Sequence, residues 1–218
     1  MKKSSKYDTS GLIENQFESG SNKRVLRNLL AIKSKREMDE IEALEHAKVF
    51  IKLIRLYGKS HRFNAKDICN THKAWLGSIY SWAGSYRLVN ISKGNFSFAG
   101  AKHIPQLMAE FEKETLARYT PCTASSIDNI VEALAVVHVE LVLIHPFREG
   151  NGRLARLLSV LMAFQAGLPT LDFNHIRGKK REEYFSAVRK GLDKDYLPMK
   201  KIFKEVIERT IRRSSQRL

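Results

Sequence analysis

Cysteine is nearly absent from this sequence. Its 218 residues carry two, Cys69 and Cys122, at a spacing that fits no metal-ligand pattern. A disulfide between them stays open, but a reduced, cytoplasmic protein is the simpler expectation. Prolines number only 5 and glycines 12, so nothing marks a long linker or a low-complexity segment. No apolar run reaches the roughly 18 residues that a membrane-spanning helix requires, and no membrane partner is expected. The opening MKKSSKYDTSG has lysines but no apolar stretch behind them, which argues against a secretory signal. Acidic residues are the last deficit: 23 against 38 basic ones leave a net charge of +15. Such a surface attracts nucleic acid, acidic proteins, anionic membranes or phosphate-bearing ligands. No zinc-finger spacing or RNA-binding aromatic signature accompanies the charge, so nucleic acid stays a partner class without a motif. The densest basic runs are GKKR at 178–181 and RTIRRSSQRL at 209–218. A solvated face and a frayed tail account for them equally well.

What is present reads mostly as helix. Apolar residues recur at helical spacing over 36–56 (Met38, Ile41, Leu44), 66–82 (Ile68, Trp75, Leu76, Ile79), 104–118 (Ile104, Leu107, Met108, Phe111) and 126–144 (Ile130, Leu134, Val137, Leu141). Residues 152–166 give another buried helix, stopped by Gly167 and Pro169, while 180–191 and 198–213 are amphipathic. Only RLVNIS at 87–92 and FSFA at 96–99 alternate like strands, with Lys93-Gly94-Asn95 as turn chemistry between them. The expectation is an all-α bundle with one β-hairpin. Trp75 and Trp82 are expected in the core, and His138 as a buried, hydrogen-bonded histidine rather than a metal ligand.

One stretch breaks this pattern. HPFREGNGRLAR, residues 145–156, lies between two apolar segments, LVLI and LLSVLMAF. The helix before it should stop near His145, because proline disfavours helical geometry in the residue that precedes it. The next should start near Asn151 or Gly152. A glycine-rich loop at a helix N-terminus exposes backbone N–H groups at the positive end of the dipole, which suits an anion. Gly150 and Gly152 permit close approach. Arg153 and Arg156, three apart, add two guanidiniums and so favour a polyphosphate. Glu149 is out of place beside an anion unless a cation such as Mg²⁺ joins it. His145 is the one titrating group there suited to act as a base near neutral pH. The chemistry implied is nucleotidyl or phosphoryl transfer onto a hydroxyl.

The same residues resemble the signature of the Fic family within the Fic/Doc superfamily, His-x-Phe-x-Asp/Glu-Gly-Asn-Gly-Arg-x-x-Arg, at every fixed position. SWAGSYRLVNISKGNFSFA (81–99) is similar to the family's lead into its substrate-docking flap, VLRNLLAI (25–32) to its N-terminal part, and GKKREEYFSAV (178–188) to the helix after the core. The resemblance covers about residues 20–200. It implies the all-α Fic fold, a helical bundle with one β-hairpin flap. It also implies transfer of AMP from ATP to a Tyr, Thr or Ser hydroxyl of a target protein. In that scheme His145 is the base and Phe147 the buried anchor of the loop. Glu149 binds Mg²⁺, Gly150, Asn151 and Gly152 cradle the α-phosphate, Arg153 holds the β-phosphate and Arg156 the γ-phosphate. Tyr184 is nominated for the nucleotide base. The flap, Ile91, Ser92, Lys93, Gly94, Asn95, Phe96, Ser97 and Phe98, would receive an extended target segment. Related Doc toxins, which act as kinases, carry lysine where this chain has Gly152, so AMP transfer is favoured over phosphorylation.

Further expectations come from the same resemblance. Ser10-Gly11-Leu12-Ile13-Glu14-Asn15 matches the inhibitory pattern Ser/Thr-x-x-x-Glu-Gly/Asn. A clamp of Glu14 on Arg156, with Ser10 in the same segment, would then restrain the enzyme, and removal of AMP would be a second activity. The chain divides into an N-terminal arm (1–22), a Fic domain (23–200) and a basic C-terminal helix or tail (201–218). The alternative reading is a toxin or regulatory module held by a partner, with an antitoxin or self-association as the restraint, or transfer of UMP.

Overall fold

The computed structural model describes residues 11–124 and 126–216. Among the described residues, eight α-helical segments, short 3₁₀ and π-helical stretches and one two-stranded hairpin make up the regular structure, in agreement with the all-α expectation. Helix α1 (Lys35–Leu56) is capped by Ser34, whose hydroxyl accepts from Glu37 N–H. Helix α2 (Ala65–Leu76) opens on a reciprocal capping box between Asn64 and Asp67. It stops at Gly77, several residues short of the periodicity that extended to 82, and the turns that follow bury Tyr80 and Trp82 instead. Helix α3 (Ile104–Glu110) continues through a π-helical stretch (Phe111–Leu116) into the single turn α4 (Ala117–Tyr119). Helices α5 (Ile127–Ile144), α6 (Asn151–Gln165), α7 (Lys179–Lys190) and α8 (Leu197–Ser215) complete the bundle.

Helix α5 is the axis. Twelve of its eighteen residues are buried, from Ile130 to Ile144, as an apolar helix surrounded by others must be. Helices α6, α7 and α8 and the π-helical stretch pack around it. The division after residue 200 falls inside α8, where Met199, Phe203, Val206 and Ile207 all lie in the same core. No helix among the described residues is long and apolar enough to cross a membrane.

The hairpin is shorter than the alternation suggests. Strands β1 (Ser92–Lys93) and β2 (Phe96–Ser97) pair antiparallel with Ser92 opposite Ser97 and Lys93 opposite Phe96. The loop is therefore the pair Gly94-Asn95, with Gly94 at φ +58°, and Lys93 belongs to the strand. Beyond the strands Phe98 N–H donates to the Ile91 carbonyl at 3.1 Å, and Ala99 N–H reaches the Leu143 carbonyl of α5 at 3.5 Å.

Gly191, at the end of α7, sits against α5 so closely that a Cβ would stand 2.1 Å from a Val139 methyl. Gly191→Ala must push the two elements apart. We expect about 1–3 kcal/mol of destabilisation from overpacking, read as a lower midpoint in thermal unfolding. An unchanged midpoint would show that the contact yields freely.

Candidate active site

Residues 145–156 form the corner between α5 and α6. The chain turns at His145 through the left-handed region, φ 52° and ψ 58°, which costs a non-glycine residue roughly 1–2 kcal/mol. Phe147 then enters the core and lies flat on the His72 ring, centroids 3.9 Å apart. Asn151 closes the loop. Its Oδ1 accepts from Phe147 N–H at 2.9 Å and its Nδ2 donates to the Phe147 carbonyl at 2.7 Å. That buried side chain shapes the loop from within. Gly150 has φ +84°, and a Cβ there would meet the Trp75 ring at 2.8 Å, so only glycine fits. At Gly152 nothing lies within 4 Å of the Cβ position. Open space thus stands over the first turn of α6, whose N-terminus no side chain caps. Unsatisfied N–H groups facing that space are what an anion requires.

His145 is half-buried beside this space. Its Nδ1 lies 3.1 Å from the Val142 carbonyl. A carbonyl only accepts, so Nδ1 carries the proton and Nε2 keeps its lone pair. Burial above all, with Arg87 and Lys93 adding positive charge, brings its pKa down to about 4. The ring is thus neutral and basic at Nε2 near physiological pH. Phe98 of the flap stacks on it at 3.6 Å. His72 is held the same way: Gly84 N–H donates to its Nδ1 at 2.8 Å, so its Nε2–H donates to the Glu149 carbonyl at 3.1 Å. Burial keeps it neutral, its pKa also pushed down to about 4.

Arg87, which the motif reading passed over, binds these pieces together. It is fully buried. Its Nε donates to the His145 carbonyl at 2.7 Å, Nη1 to Val89 at 2.6 Å, and Nη2 to Ala99 at 2.5 Å and Ile144 at 3.5 Å. One guanidinium therefore joins the end of α5 to both legs of the hairpin. The only sign of it in the sequence is a charged residue at the start of an alternating segment.

The expected clamp between Glu14 and Arg156 does not form. Glu14 is buried, but its Oε1 accepts from Leu88 N–H at 2.7 Å, next to Arg87, and its carbonyl accepts from Arg148 Nε at 3.0 Å. No Glu14–Arg156 ion pair occurs among the described residues. The short 3₁₀ turn Ile13–Asn15 straps the root of the flap to the motif loop instead. Ser10 lies outside the described residues.

The other charged residues do converge. Arg153 pairs with Glu42 of α1 at 2.6 Å and with Glu149 at 3.4 Å, its guanidinium 4.7 Å from the Trp75 ring. Glu149 is partly exposed and also accepts from its neighbour Gly150 N–H at 2.9 Å. Arg156 lies 5.4 Å from the Tyr184 ring and 5.7 Å from Phe173, its Nε buried without a partner. Tyr184 is itself buried, and its hydroxyl donates to His138 Nε2 at 2.8 Å. It cannot face a nucleotide base as expected; it supports Arg156 from behind. His138 donates from Nδ1 to Ser159 at 3.2 Å and is the expected core histidine. Among the described residues no cluster of three or more His, Cys, Asp or Glu could cage a metal. Magnesium is commonly held by one or two carboxylates together with substrate phosphates, and Glu149, at the mouth of an open anion site, fits that mode.

Residues 62–163 match the model of the Fic/DOC family. Protein adenylyltransferase VbhT of Bartonella schoenbuchensis is 32% identical over 146 residues, covering 66% of this chain and 30% of that protein. Protein adenylyltransferase fic-1 of Caenorhabditis elegans is 29% identical over 185 residues, covering 84% of this chain and 35% of that protein. The chain spans about a third of the length of these curated relatives. Among solved structures, the BepC protein of Bartonella tribocorum, crystallised with AMPPNP, superposes with a TM-score of 0.70 at 22% identity, covering 90% of this chain and 97% of that chain. That likeness is one of fold.

If Glu14 straps the flap root, Glu14→Ala removes the charged acceptor of the Leu88 N–H. We expect about 1–3 kcal/mol of lost stability, with faster hydrogen exchange at Leu88. Unchanged exchange there would show that the strap carries nothing.

Proposed function

We propose that this chain, whose residues 62–163 match the Fic/DOC family model, transfers AMP from magnesium-complexed ATP to a hydroxyl of a target protein. The observation that carries the reading is the convergence on one corner of an unprotonated imidazole nitrogen, an uncapped helix N-terminus and two arginines. The relatives' names point the same way.

The steps follow from the groups present. The open first turn of α6 receives the α-phosphate on backbone N–H groups. Arg153 holds the β-phosphate and Arg156 the γ-phosphate. Glu149 would hold the magnesium ion, which would offset phosphate charge. Nε2 of His145 accepts the proton of the target hydroxyl as its oxygen attacks the α-phosphorus. The bond from that phosphorus to the oxygen bridging to the β-phosphorus breaks, and pyrophosphate leaves. Charge that builds on the α-phosphate is met by preorganised N–H donors. The exposed edges of β1 and β2 offer backbone groups to an extended segment of the target, and Phe98, stacked on His145, places that segment over the base. Gly152 keeps the first turn clear, which favours transfer of AMP over transfer of the terminal phosphate.

Two outcomes test this. With labelled ATP, Mg²⁺ and cell lysate, His145→Ala should lose label by roughly 10²–10⁴-fold, the usual worth of a positioned base; label that survives the substitution refutes the assignment. The second is pH dependence. His145 acts when deprotonated, and its folded pKa is about 4, so kcat/KM should hold level as pH falls from about 8 to about 5. A loss centred near the ordinary histidine value of about 6.5 would contradict the buried, neutral ring.

A further inference from the structure

We propose that Glu42 is a positioning residue that aims Arg153 at the second phosphate of the nucleotide. The inference rests on the transfer reading above and adds a residue outside the motif.

Glu42 belongs to α1, more than a hundred positions from the motif in sequence. Its side chain is almost wholly buried, at 2% exposure, whereas the Arg153 side chain is 37% exposed. Oε2 of Glu42 stands 2.6 Å from Nη2 of Arg153, and Oε1 accepts from the Tyr80 hydroxyl at 2.7 Å. The Glu42 carbonyl accepts from Trp75 Nε1 at 2.8 Å, so the indole that carries the guanidinium is tied to the same residue. His46, one turn along α1, packs edge-on against that indole at 4.9 Å. The socket is thus a carboxylate, a phenol and an indole whose positions are all fixed by burial.

A guanidinium has five N–H donors in a planar fork. Both carboxylate contacts fall on Nη2, and the exposed part of the side chain faces outward with donors to spare. A buried carboxylate that loses its only cation is left strongly destabilised, so Glu42 does not release Arg153 when a phosphate arrives. Its charge, close to Nη2 but outside hydrogen-bond geometry, holds one side of the fork while the other binds. Glu149 differs: it is 46% exposed and free to turn from Arg153 toward a cation. The inner acid positions and the outer one moves.

The test is affinity by calorimetry for AMP, ADP and ATP with Mg²⁺, using the full chain. Wild type should bind ADP more tightly than AMP. In Glu42→Gln the ADP-to-AMP ratio should fall roughly tenfold, the scale of a misplaced charge-assisted contact, while AMP affinity holds. In an Arg153→Met background the same substitution should leave the ratio unmoved. A merely structural role would weaken all three nucleotides together and overturn the proposal. So would an unchanged ratio, and so would a rise, which would mean that Glu42 withholds Arg153. Tyr80→Phe keeps the buried ion pair and should lower the ratio less but in the same direction. It decides the matter if Glu42→Gln does not fold, and an unmoved ratio there overturns the proposal. Wild type that binds none of the three nucleotides sinks the transfer reading itself. Wild type that prefers ADP, beside a Glu42→Gln chain that keeps the preference, sinks only the role of Glu42.

Discussion

A guanidinium buried where α5 ends holds three stretches of chain together. Arg87 gives its donors to carbonyls of Ile144, His145, Val89 and Ala99. Burying a charge is costly unless it is paired and hydrogen-bonded. Here the carbonyls at the negative end of a helix dipole and the nearby Glu14 carboxylate offset that cost. The consequence is that the turn at His145 and the two legs of the flap are set by one group. A lysine could not do this, since an ammonium lacks the flat, spread fork. The His145 ring and the hairpin leg that carries Phe98 over it therefore keep a common frame, and the αL strain at His145 is tolerated because the surroundings over-determine it.

Three histidines share a second constraint. His72, His138 and His145 are all buried enough that their pKa values fall to about 4, about 3 and about 4. Each is then a neutral ring with one donor and one acceptor, and each has its tautomer dictated by a neighbour. His72 accepts from Gly84 and donates to the motif loop. His138 accepts from Tyr184 and donates to Ser159, whose hydroxyl in turn donates to the Ala155 carbonyl. His145 donates to Val142 and leaves Nε2 to act. The same physics ties both nitrogens into the core in two cases and leaves one unpaired in the third. What separates them is that only His145 stands beside open space and an uncapped helix end.

The helices were legible because long segments with a 3.6-residue period bury one face whatever surrounds them. Boundaries came within a few residues except at Gly77, where apolar residues up to Trp82 continue into turns that also lie in the core. The motif was legible because its residue types are dense and their chemistry is joint. The supporting residues were not. Glu42, His72, Arg87 and Tyr80 look like ordinary members of helices or turns, and the contacts that give them their places run across 38 to 111 positions in sequence. Tyr184 and Glu14 show the converse. A residue type and a short pattern suggested ligand contact and inhibition, but packing assigned each a structural partner.

By itself the sequence determined the helical class, the corner between α5 and α6, and the chemical character of residues 145–156, because these depend on neighbours within one or two turns. Tertiary structure decided which nitrogen of His145 is basic, which carboxylate steers Arg153, and that Glu14 straps the flap rather than blocking Arg156. Those outcomes depend on burial and on pairs of groups brought together from distant positions. Local pattern carries no record of either.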